Sequence, residues 1–128
     1  MSFTCTLAQA LNIAQGITEL PKFPSSMQKT AWNLGMIKNK IIPYIEEYKI
    51  RHMEMMEELG EKDDKGNLSI LPSNISQFTK DIKVLTDAEI TIERDAIKLS
   101  TLKPIKDTIE LDISPETLFK CYPAITDD

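Results

Sequence analysis

The stretch MQKTAWNLGMIKNKIIPYIEEYKIRHMEMMEEL, residues 27–59, decides the fold. Positions 27, 31, 34, 38, 41, 45, 48, 52, 55 and 59 step by alternating fours and threes, a spacing that aligns side chains along one line of an α-helix. They read Met, Ala, Leu, Lys, Ile, Ile, Tyr, His, Met and Leu, so all but Lys38 and His52 are apolar or aromatic. Ile37, Ile42 and Met56 broaden the seam toward that of a core-facing helix. Pro43 lies in the middle and lacks a backbone donor, which predicts a kink or two helices meeting end to end. Ser25 or Ser26 is the expected N-cap, and Gly60 is expected to close the helix in the left-handed conformation.

Downstream, Gly60-Glu-Lys-Asp-Asp-Lys-Gly-Asn67 reads as a charged turn in which Gly66 supplies positive φ. Asn74, with Gln77 three residues on, predicts the cap of a third helix whose Ile75, Phe78, Ile82 and Leu85 share a face. Folding that helix back antiparallel on the second buries both seams. Upstream, Thr6 caps a first helix carrying Leu7, Ala10, Leu11, Ala14, Ile17 and Leu20, stopped by Pro21 and Pro24.

After Ala88 the apolar period falls to two. Ile90 and Ile92, Ile97 and Leu99, then Ile109, Leu111 and Ile113 predict three short strands, with a tight turn at Asp95-Ala96 and a loop at Lys103-Pro104. Ser114-Pro115-Glu116 opens a last helix with Leu118, Phe119 and Tyr122 as its apolar side, ended by Pro123. The expected fold is α+β. A long antiparallel helical hairpin and an N-terminal helix join a small three-stranded antiparallel sheet and a short C-terminal helix. One domain over residues 1–128 is expected: a helical part 6–88, a strand-rich part 89–113 and a C-terminal helix 114–122.

The chain has 128 residues, 41% of them hydrophobic, enough to bury a core. Twenty acidic residues against fifteen basic give a net charge of -5, which argues against nucleic acid as a partner and favours protein. No apolar run is long enough for a membrane span, and Met1 to Leu20 lacks the pattern of a signal peptide. Cys5 and Cys121 are expected as two buried or half-buried thiols, a bridge between them being the lesser alternative.

Several segments together resemble a known family. These are Ile37-Lys-Asn-Lys40, Tyr44-Ile-Glu-Glu-Tyr-Lys-Ile-Arg51, Gly60-Glu-Lys-Asp-Asp-Lys-Gly-Asn67, Phe78-Thr-Lys-Asp-Ile82, Glu89-Ile-Thr-Ile92 and Ile113-Ser-Pro-Glu-Thr-Leu118. Roughly from Leu20 to its end, the chain resembles domain-of-unknown-function family 1617, found in phages and prophages of low-GC Gram-positive bacteria. The shared motifs are structural, so the resemblance implies a phage protein and carries over no functional residue. The first twenty residues and Pro43 depart from the pattern.

The familiar catalytic patterns fail one by one. His52, the only histidine, has no paired nucleophile, and Lys49 stands where a Glu-x-x-His metal motif needs glutamate. Glu46, Glu47, Glu54, Glu57, Glu58 and Glu61 read as a solvated face partnered by Lys49 and Arg51. A calcium loop counted from Glu61 puts Gly66 sixth but Lys65 fifth and Pro72 twelfth. Phosphate-binding glycine loops and the G-x-S-x-G elbow do not occur.

Two candidate surfaces remain. Trp32, Met36, Met53 and Met56 form a possible protein-interaction face, since methionine-rich helices adapt to partners; the same side chains serve equally as core filler. Arg94, Lys98, Lys103 and Lys106 near the strands are candidate anion contacts, or else solvated lysines on a sheet edge. The expected function is that of a non-enzymatic bacteriophage accessory protein, without cofactor or metal, that binds a phage structural or host protein in virion assembly. Self-association is the second expected contact, and the host cytoplasm or the virion the expected location. The alternative is a counter-defence protein that blocks a host immune factor or sequesters a signalling nucleotide.

Overall fold

A computed structural model describes residues 2–23, 25–98 and 115–126, and it is mixed α and β. The chain opens with a strand, β1 (Phe3–Thr6), that passes directly into α1 (Leu7–Glu19). Thr6 is the last residue of the strand and the cap of the helix. Its Oγ1 accepts the Gln9 N–H at 3.1 Å, and Gln9 Oε1 accepts the Thr6 N–H at 2.9 Å, a reciprocal capping box. The buried stripe of α1 is Leu7, Ala10, Ile13, Ala14 and Gly16, while Leu11 and Ile17 are half-buried. The expected stripe is therefore turned toward Ile13.

A 3-10 turn at Ser25–Met27 leads into α2 (Gln28–Leu59). Neither serine caps it: Met27 takes the cap position, with no side-chain bond to the first turn. Pro43 neither ends nor divides the helix, which runs unbroken for 32 residues. Asn39, whose carbonyl loses its N–H partner, and Pro43 itself both lie on the exposed side of the helix. Gly60 is extended, with φ -118 and ψ -177, because it begins a strand instead of closing the helix in the left-handed region.

The charged turn is the tip of a β-hairpin, β2 (Gly60–Lys62) with β3 (Leu68–Ile70), antiparallel, Gly60 opposite Ile70. Asp63 organises it: its carboxylate accepts from the Lys65 and Asn67 N–H groups, each at 2.9 Å, and Gly66 has φ 81 as expected. A second 3-10 turn, Pro72–Asn74, leads to α3 (Ile75–Thr86). Asn74 takes the cap position, as expected, but its side chain makes no bond to the first turn. Its Nδ2 donates to the Leu59 carbonyl at 3.0 Å, tying the start of α3 to the end of α2, and Gln77 donates to Asp81 instead. With Asn74 beside Leu59 and Phe78 beside His52, α2 and α3 run antiparallel, as the seams require.

Two of the three predicted strands form, but they pair differently. β4 (Glu89–Ile92) pairs antiparallel with β1, Phe3 opposite Ile92 and Cys5 opposite Ile90. β5 (Ile97–Lys98) pairs parallel with β6 (Ile125–Thr126), which follows α4 (Pro115–Lys120). Among the described residues there are thus three two-stranded ladders and no three-stranded sheet, and no turn at Asp95-Ala96 joins β4 to β5. Residues from both ends of the chain supply the missing partners. The expected strand at Ile109–Ile113 lies outside the described residues.

The core gathers Ala10, Ile13 and Ala14 of α1, Leu34, Ile37 and Ile41 of α2, Ile92, Ile97, and Cys121, Ala124 and Ile125 after α4. The apolar side of α4 is not the one expected: Leu118 packs against the core, but Phe119 is 83% and Tyr122 56% exposed. Cys121, fully buried, is the side chain that faces inward. Cys5 and Cys121 are both free thiols. No helix among the described residues is long and apolar enough to cross a membrane.

Candidate functional site

Opposite the core-facing seam, α2 carries exposed apolar side chains. There Trp32 stands 65% exposed, one turn from Gly35 and Met36. Gln28, Ala31, Trp32, Gly35, Met36 and Asn39 enclose a shallow depression of about 490 Å³. Its floor exists because residue 35 has no side chain: a Cβ there would meet nothing within 4 Å. An indole, a thioether and a bare stretch of helix backbone in one place suit the knob of another helix.

Of the four side chains expected on an interaction face, the structure brings Trp32 and Met36 together. Met53 is also exposed, at 51%, but lies about 31 Å along the helix from Trp32. Met56 is half-buried. Ile42, expected to broaden the core seam, is 38% exposed, and Ile50, which the sequence reading passed over, is 53% exposed. Together they extend the apolar line of Trp32 toward Met53. The signal is a second, weaker run of threes and fours, in which Trp32, Ile42, Ile50 and Met53 share a line with Gly35, Asn39, Glu46 and Glu57.

The anion candidates are divided. Arg94 and Lys98 line a cleft of about 680 Å³, together with Lys29, Asn33, Glu93 and Asp95. Arg94 is oriented by a hydrogen bond to Asn33 Oδ1 at 3.2 Å. Lys29, on α2, was not foreseen, because only the fold brings it to the β4–β5 connection. The two carboxylates offset much of the positive charge. Lys103 and Lys106 lie outside the described residues.

His52 is a packing residue. Its ring lies 5.8 Å from that of Tyr48 and meets Phe78 edge-on at 5.6 Å, in the contact between α2 and α3. The glutamate row is solvated as expected, with Arg51 bridging Glu47 at 3.0 Å and Glu54 at 3.8 Å on an open surface. Among the described residues no three His, Cys, Asp or Glu side chains come together as a metal site. Burial pushes the Cys121 thiol up to about 11, with Glu19 adding to the effect, and raises Cys5 as well. Such thiols are poor nucleophiles.

Comparison of the chain with protein-family models, with curated proteins and with solved structures gives no match.

Proposed function

We propose that this protein is a bacteriophage accessory protein that works by binding another protein, without catalysis, in virion assembly or structure. One observation carries the binding part: an exposed tryptophan beside a helix-backbone depression, on a long helix whose other side is already packed. Large exposed aromatic side chains of this kind supply most of the affinity at protein interfaces. The phage setting rests on the resemblance of the helix, hairpin and Ser-Pro segments quoted above.

The test is purification of the tagged chain from infected cells, beside a Trp32→Ser variant, with mass spectrometry of the eluate and of purified virions. Head or tail proteins should be recovered with the parent chain and lost with Trp32→Ser, and the chain should occur in the particles. Particles of normal composition lacking the chain, formed equally well without it, would overturn the assembly role.

A second reading is favoured by the convergence of Lys29, Arg94 and Lys98 on one cleft: sequestration of a signalling nucleotide in counter-defence. A nucleotide released on denaturing the purified protein, and absent from an Arg94→Ala preparation, would support it. Protein free of bound nucleotide after expression in infected cells would sink it.

A further inference from the structure

Charge is segregated along α2. From Gln28 to Ile45 the helix carries Lys29, Lys38 and Lys40 and no carboxylate. From Glu46 to Leu59 it carries five glutamates against Lys49 and Arg51. A surface that is basic along one half and acidic along the other, with exposed apolar side chains in both, is complementary to itself only when reversed. That is the condition a two-fold symmetric interface imposes.

We infer that the exposed face of α2 binds α2 of a second copy, antiparallel, about a two-fold axis close to Ile42 and Pro43. This rests on the reading of that face as a protein-binding surface, and it names the partner. The register that sets Trp32 against the copy's Met53 also sets Gly35 against its Ile50 and Asn39 against its Glu46. A branched side chain then enters the depression left by the glycine, and the indole covers a methionine. Both contacts occur twice, since what one helix presents the other returns.

The flanks agree with that register. Lys29, Lys40, Glu47, Glu54 and Glu58 are separated by eleven, seven, seven and four residues, so they run along one side of the apolar line. In an antiparallel pair related by a two-fold axis, each flank meets the same flank of the copy. Lys29 then lies between the copy's Glu54 and Glu58, and Lys40 beside its Glu47. Arg51, which bridges Glu47 and Glu54 within one chain, does so on an open surface where such pairs exchange readily. The other flank brings Lys38 near the copy's Lys49, but Lys38 is drawn back to Thr18 Oγ1 of its own chain at 2.7 Å. A parallel arrangement would instead set lysines on lysines and glutamates on glutamates along the whole helix.

Sedimentation velocity of the full chain over a range of concentrations tests this, with two charge-reversed variants. The parent chain should reach twice its 14.5 kDa mass. Lys29→Glu with Lys40→Glu, and separately Glu47→Lys with Glu54→Lys and Glu58→Lys, should each weaken self-association by about tenfold or more. An equimolar mixture of the two variants should dimerise again, because each then offers the charge the other lacks. Circular dichroism of each variant establishes that the helices persist. A parent chain that stays monomeric overturns the inference, as does a dimer indifferent to both reversals or variants that fail to pair when mixed. Any of those results leaves the wider binding reading to the Trp32→Ser comparison, which fails or succeeds independently.

Discussion

Gly16 and Gly35 are both helical glycines, and the same substitution should act on them with opposite sign. Gly16 is buried, and a Cβ there would lie 2.7 Å from Cys121 Sγ and 3.0 Å from Lys120 Cβ. Gly35 faces open space. Alanine improves a helix interior by about 1 kcal/mol over glycine, whereas forcing atoms into a packed core costs about 1–3 kcal/mol. Gly16→Ala should therefore lower the urea midpoint and Gly35→Ala raise it. The neighbour that makes Gly16 necessary also titrates. With its folded value at about 11, against an ordinary thiol value of 9.0, Cys121 keeps its proton in the folded chain where the unfolded chain has lost it. Unfolding therefore releases a proton between about pH 9 and pH 11, and stability falls as pH rises through that window. Cys5 acts in the same direction. The decline should be shallower in Cys121→Ala, measured as midpoint against pH, even though that variant begins from a lower stability. Neither effect is written in the sequence around Gly16, because Cys121 arrives from the far end of the chain.

Some elements defined by neighbouring residues were legible in advance, although the caps expected of Ser25 or Ser26 and the left-handed Gly60 were not found. Thr6 as the cap of α1, Gly66 within its turn, and the proline and acid that open α4 act over three or four positions, and each is found where its spacing suggests; the Gln9 half of the Thr6 box is added by the structure. Thr6→Ala should cost about 1 kcal/mol, since it removes the acceptor of the Gln9 N–H at the start of α1. The loss would show as a lower thermal midpoint and as faster exchange in the first turn. That turn is also held from outside, by the Leu7 N–H donating to the Ala88 carbonyl at 2.9 Å. Elements defined by distant partners were not legible. Phe3-Thr-Cys-Thr6 alternates like a strand, but four residues ahead of a helix cap carry little signal without the β4 ladder they complete. The parallel pairing of Ile97 with Ile125 is equally invisible, as alternation states which face of a strand is apolar and not which strand lies beside it. The interaction face follows the same division. Trp32 and Met36 stood out as large apolar residues off the main seam. Lys29 gained its place in the anion cleft only through β4 and β5.

At the scale of the molecule, the seam of α2 keeps its spacing from Met27 to Leu59, yet full burial along it ends at Ile41. Repetition along a helix states which side is apolar; what covers that side is decided by α1, β4, β5 and the residues after α4, which all pack near its first half. Beyond Ile41 the helix lies against α3 and the β2–β3 hairpin, with Ile45 still resting on the core, and no residue from Ile42 to Thr91 is fully buried. Half-buried contacts such as His52 with Phe78 hold that region, together with the hydrogen bond from Asn74 to Leu59. Local stability follows buried contacts, so this region should open well before the rest. Hydrogen exchange should find the slowest amides in α1 and around Leu34 to Ile41, and faster exchange from Tyr44 through α3. Pairing of α2 with a second copy adds a condition. A partner that binds only the ordered helix stabilises it in proportion to its concentration relative to the dissociation constant. Protection from Ile42 to Leu59 should then rise with protein concentration in the parent chain and stay constant in the chain carrying Lys29→Glu and Lys40→Glu. Protection in α1, already set by the core, should not respond in either.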